Sequence, residues 1–138
     1  MSLIQEISDA DHIQGNPDAP VILLEYGDYE CPYCGAAYPV VKQIQKKMGK
    51  QLRFVFRNFP LTNIHPMAEI AAEAAEAAGA QDRFWEMHDA LYENQDSLSE
   101  ETIFVLAKKI GLDMEVITKD IDSQKYRPKI NKDFMGGV

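Results

Sequence analysis

Cysteine is almost missing from this chain. Its 138 residues hold two, and both fall in one tetrapeptide, Cys31-Pro32-Tyr33-Cys34. Two cysteines cannot staple a loop-rich scaffold, so stability must come from a hydrophobic core and export is not implied. Long apolar runs are missing as well. Stretches such as Val21–Leu24 are strand-sized, and none nears the ~20 residues of a membrane-spanning helix. Basic charge is scarce: 14 Lys and Arg stand against 22 Asp and Glu, and a net charge of −8 argues against nucleic acid or an anionic membrane surface as partner. No basic stretch leads into an apolar core after Met1, so no secretory leader is read. Met-Ser-Leu equally suits a remnant in place of a removed leader. The compartment stays open: extracytoplasmic in that case, cytoplasmic otherwise. Internal repeats and low-complexity linkers do not occur.

What is present suits one domain, or one domain with a substantial insertion; 46% of residues are hydrophobic. Residues 3–8 offer a short first strand. The cluster Gly15-Asn16-Pro17-Asp18-Ala19-Pro20 resets the chain. Val21–Tyr26 is an apolar run with one acid, the pattern of a parallel strand covered on both faces. Helical spacing runs from Cys31 to about Met48, with Gly49 as its C-terminal cap and Pro39 as a kink within it. Residues 52–57 form the next strand, so strand, helix and strand read as a βαβ unit with a parallel pair.

After residue 65 the pattern is helical. An alanine-rich helix spans Met67–Ala78, requires close packing by a neighbour, and ends at Gly79. Asp82 is expected to cap a helix over Arg83–Asn94, Ser99 one over Glu100–Ile110, and Asp113 one to about Ile121. A last helix starts near Pro128 and stops at Gly136-Gly137. These helices read as an inserted cap, with the chain stopping before it returns to the sheet.

The tetrapeptide points to chemistry. Sulfurs two residues apart at the first turn of a helix can bond to each other, and the helix N-terminus favours thiolate over thiol. Such a dithiol is a thiol–disulfide exchange centre. A structural zinc wants four ligands, but no second cysteine pair exists and His12, His65 and His88 are scattered. A zinc or iron–sulfur site would need Cys31 and Cys34 from two chains. Two inert core cysteines are the remaining alternative.

The segments GNPDAPVILLEYGDYECPYC, FVFRNFPL, HPMAEIAAEAAEA and FWEMHDALY together resemble the DsbA-like thiol–disulfide oxidoreductases. These are α/β proteins of thioredoxin-like fold with an inserted all-helical subdomain. The resemblance implies that residues 1–62 are the N-terminal part of a thioredoxin-like domain and residues 63–138 the helical insertion. It implies that Cys31 is the accessible nucleophile, Cys34 the shielded resolving thiol, and Pro32 and Tyr33 the dipeptide that tunes the potential. Glu25 falls where such enzymes keep a buried acid near the second sulfur, and Pro39 matches their helix-kinking proline. His65 and Trp85 fit recurrent positions in the insertion. The family's cis-proline loop and further strands would begin beyond Val138, so the protein is expected to continue there. No cofactor is implied. The partners would be proteins with thiols or disulfides and a recycling redox partner. Similar domains also occur fused to transporters such as sodium/proton antiporters, which leaves an accessory or regulatory role as an alternative.

Three aromatics, Tyr29, Tyr33 and Phe59, are read as framing an apolar docking surface, with ordinary core and rim as the alternative. Trp85 reads as core. His88 reads as a satisfied core or boundary histidine, and His65 as a helix-start residue.

Overall fold

A computed structural model describes residues 5–138. Among these residues a three-stranded sheet, in the order β1-β3-β2, is joined by six α-helices. The strands are β1 (His12–Gly15), β2 (Val21–Gly27) and β3 (Leu52–Asn58). Helix α1 (Pro32–Met48) crosses between β2 and β3, which pair in parallel from Val21↔Leu52 to Gly27↔Asn58. That is the expected βαβ unit.

The central strand is β3. Leu52, Phe54, Val55 and Phe56 are buried, and so are Arg57 and Asn58. A buried guanidinium needs full pairing, and Arg57 has it. It donates to both oxygens of Asp11 at 2.7 and 2.9 Å, to the Tyr26 hydroxyl at 2.9 Å and to the carbonyl of Gln5 at 3.0 Å. Helix α2 (Ala68–Ala80) is the helical counterpart of β3: Ala71, Ala72, Ala74, Ala75, Ala77 and Ala78 are all buried. Methyl side chains let α3 (Phe84–Glu93), α4 (Glu100–Ile110) and α5 (Met114–Asp122) approach closely, as the alanine run requires.

Three expectations change. Residues 5–8 form no strand, while residues 3 and 4 lie outside the described residues. The first strand is instead His12–Gly15, antiparallel to β3 with His12 opposite Phe56. Second, β2 is not covered on both sides. It pairs only with β3 among the described residues, and Val21 and Ile22 are 42% and 40% exposed. Third, Gly79 does not end α2, which runs on to Ala80; Asp82 does not cap α3 but turns the chain with φ of 60°. Helix α6 (Arg127–Gly137) packs on β3 and β2, and among the described residues no further strand joins the sheet. The Asp133 carboxylate accepts from the backbone N–H of Asn58 at 3.0 Å and from its side-chain amide at 2.9 Å. The other signals hold: the Ser99 hydroxyl accepts from the N–H of Thr102, Asp113 caps α5, and Gly111 closes α4 at φ of 93°.

Candidate functional site

Cys31 is the cap residue of α1. Its backbone is extended (φ −71°, ψ 123°), Pro32 follows as the first helical residue, and the carbonyl of Cys31 accepts the first helical bond from Gly35 at 3.0 Å. One turn on, Cys34 rests against the hydrophobic cluster. Both are free thiols, and each is half-buried. Pro32 and Tyr33 stand in solvent, Tyr33 at 86% exposure. Pro39 lies inside α1, as expected.

The electrostatics separate the groups. Burial pushes the Cys34 thiol up to about 11, with the Cys31 sulfur and the Glu25 carboxylate adding to the rise and the backbone N–H of Asp28 opposing it. Glu25, on β2, is pushed up to about 7 by burial. An acid that exchanges its proton near neutrality therefore sits within electrostatic reach of a thiol that gives its proton up reluctantly.

The loop before the motif is held from below. One oxygen of buried Asp28 accepts from the N–H of Leu61 at 2.9 Å and from His65 Nδ1 at 2.7 Å. Its other oxygen accepts from the N–H of Glu30 at 2.8 Å, and its carbonyl accepts from the N–H of Cys31 at 3.1 Å. The Glu30 carboxylate reaches the N–H of Met67 at 3.2 Å. His65, read as a helix-start residue, is thus also a clamp on Asp28.

Tyr29 corrects one expectation: it belongs to the core and not to a docking surface, at 1% exposure. Its ring packs on Phe56 and Tyr92, and its hydroxyl is bonded to His88 Nδ1 at 2.9 Å. A buried hydroxyl needs a partner, and His88 supplies it. Burial pushes His88 down to about 3, with Lys42 and His12 adding to the fall, so it is neutral, as a core histidine should be. Phe59 is half-buried and stacked on Phe134 of α6 at 4.5 Å. Trp85 packs against Phe54 and Phe84.

Sequence reasoning missed Gln95, in the short turn after α3. Its side-chain amide donates to the carbonyls of Tyr29 and Cys31 at 3.0 and 2.8 Å. A contact across 64 residues leaves no local signal. Asp28 could have been found, since it precedes the motif by one turn of loop and short acids commonly organise such turns. Among the described residues, no group of three or more His, Cys, Asp and Glu gathers as a metal site.

A parallel β2–α1–β3 unit carrying a dithiol at the start of its helix, under a helical cap, defines a thioredoxin-like protein of the DsbA-like class. The sequence profile of the thioredoxin family matches residues 8–135, and the chain belongs to that family. Among solved structures, BdbD from Bacillus subtilis superposes with a TM-score of 0.81 at 28% identity, over 92% of this chain and 74% of that one. The thiol-disulfide exchange protein alpha-DsbA2 from Wolbachia pipientis gives 0.80 at 24% identity, over 92% and 68%, a likeness of fold. The Na(+)/H(+) antiporter NhaA 1 of Salinispora arenicola is 42% identical over 128 residues, which cover 93% of this chain and 20% of that protein. The chain thus spans about a fifth of the length of that relative.

Proposed function

We propose that the chain is a dithiol–disulfide oxidoreductase acting on protein thiols and disulfides, with Cys31 and Cys34 as its redox pair. The observation that carries this reading is the asymmetry of the two sulfurs: one caps the helix, and the other is packed against the core with its thiol pushed up to about 11. In the reducing direction, the Cys31 thiolate attacks a substrate disulfide, a mixed disulfide forms, and the first substrate thiolate leaves and takes up a proton. Cys34 then loses its proton to the Glu25 carboxylate and attacks Cys31, releasing the second substrate thiolate. In the oxidising direction, a substrate thiolate attacks Cys31 of the disulfide, Cys34 leaves and takes the proton from Glu25, and a second substrate thiolate then attacks the substrate sulfur of the mixed disulfide and expels the Cys31 thiolate. Pro32 and Tyr33 shape the approach, and Pro39 bends the helix that holds both sulfurs. A second redox protein must reset the pair after each turnover.

The test is a trap. With Cys34→Ser, a substrate or glutathione disulfide should accumulate on Cys31 as a stable mixed disulfide detectable by mass. Cys31→Ser should form none. Equal trapping on either sulfur would remove the assigned roles.

A second reading is favoured by the antiporter relative, which matches nearly the whole chain at 42% identity. In it the same redox pair serves as an accessory or regulatory domain within a longer polypeptide. Immunoblotting of native cells with an antibody to this chain discriminates, because a band far larger than 15.6 kDa supports fusion.

A further inference from the structure

We propose that Gln95 is a positioning residue for the redox pair, holding the Cys31 turn in the geometry that favours the dithiol over the disulfide. The inference rests on the exchange chemistry proposed above. Gln95 belongs to the helical part of the fold, in the Gln95–Ser97 turn between α3 and α4. Its Nε2 carries two hydrogens, and two carbonyls of the active-site loop take them: Tyr29 at 3.0 Å and Cys31 at 2.8 Å.

The fit on the other side is equally close. A Cβ built on Gly35 would lie 2.1 Å from Gln95 Oε1, so the side chain occupies the space that the missing methyl leaves free. Tyr29 cannot yield, because its ring is buried and its hydroxyl is fixed by His88. Gln95 therefore presses on one rigid residue, one helix and the carbonyl of Cys31 itself.

The consequence is electrostatic. Carbonyl oxygens are the negative ends of their dipoles; without the amide the Tyr29 carbonyl would lose this donor and the Cys31 carbonyl would keep only its helical bond from Gly35, leaving more negative partial charge to oppose an anion on the Cys31 sulfur. The amide hydrogens offset that partial charge and leave the N-terminus of α1 free to stabilise the thiolate. Only the reduced form carries a thiolate, so the pairing favours the reduced form and makes the disulfide the stronger oxidant. One side chain of the helical part thereby sets the redox equilibrium of a pair that lies on another element.

The experiment equilibrates the chain in graded mixtures of reduced and oxidised glutathione, quenches with acid, alkylates and weighs the products. The reaction is balanced: the dithiol passes two electrons and two protons to oxidised glutathione, giving the Cys31–Cys34 disulfide and two reduced glutathiones. Gln95→Met keeps length and volume but removes both donors. It should shift the equilibrium about tenfold toward the disulfide of the chain, which is ~30 mV for a two-electron couple. Gly35→Ala should give a similar shift by displacing the amide, without loss of thermal stability, since alanine is favoured over glycine in a helix. In the Gln95→Met background, Gly35→Ala should add nothing.

Equilibria within twofold of the wild type in both folded variants would overturn the proposal. So would a Gly35→Ala shift that is as large with Gln95 replaced as with it present. Should Gln95→Met fail to fold, Gly35→Ala alone decides, and an unchanged equilibrium sinks the idea. A wild-type chain that forms no internal disulfide at any glutathione ratio would take down the exchange reading as well, a result separate from the others.

Discussion

Glu25 holds its charge at a cost, because β2 carries it into a half-buried position where burial pushes the carboxyl up to about 7. The unfolded chain ionises it near the ordinary carboxylate value, so the unfolded state sheds the proton first as pH rises. The penalty on the native state builds between about pH 4.5 and 7 and is complete above 7. Glu25→Gln should therefore stabilise the chain by ~1–3 kcal/mol at pH 8.5 and by less than half of that at pH 5, measured by urea denaturation. The same substitution should slow resolution by Cys34 and remove the inflection near pH 7 from its rate. An unchanged pH profile in Glu25→Gln would leave Cys34 to find its proton acceptor in water. Both predictions trace back to one cause, the partial desolvation of a single carboxylate.

Elements meet at close quarters where β1 joins β3. Gly15 closes β1 with φ of 98°, and a Cβ placed there would stand 2.8 Å from the carbonyl oxygen of Leu52. The left-handed backbone and the short approach both demand glycine. Gly15→Ala should destabilise the chain by about 2 kcal/mol, read as a lower urea midpoint with unchanged m-value. The helices follow a different logic. Helix α1 lies on the sheet with no fully buried residue, whereas α2 is buried through most of its length. The Cys31–Cys34 motif is therefore carried by the more accessible helix and braced at the start of the inaccessible one, through Glu30 and Met67.

Over the whole molecule, a polar network binds what the sheet does not. The Glu76 carboxylate of α2 is paired with His12 of β1 at 2.8 Å and accepts from the Asn58 amide of β3 at 2.9 Å. Asp133 of α6 accepts from Asn58 and, at 2.7 Å, from Lys129. Burial opposes the charge on Glu76, but the His12, Lys129 and Asn58 contacts outweigh it and hold the carboxyl below its usual range. Removing Asp133 leaves the buried backbone N–H of Asn58 without its carboxylate acceptor and takes from Lys129 its nearest partner. Asp133→Ala should cost ~2–3 kcal/mol in urea denaturation and should speed amide exchange in α6 before it affects α2. Uniform exchange across all helices would mean that α6 is held by packing alone.

Local pattern determined much of this protein by itself. Alternation of apolar run, turn and helical spacing placed β2, α1 and β3 and their parallel pairing, and the serine, aspartate and glycine punctuation bounded α4 and α5. Cys31 and Cys34 announced themselves because their spacing is a property of four consecutive residues. Tertiary structure alone decided which aromatic faces inward, and Tyr29 went to the core because His88 lay there to bond its hydroxyl. It also decided that β1 begins at His12, that α6 packs on the sheet, and that Gln95 grips the Cys31 turn. The reason is physical: periodicity and caps depend on neighbours within a turn or two. Burial, carboxylate pairing and amide bridging depend on groups that the chain brings together only when it has folded.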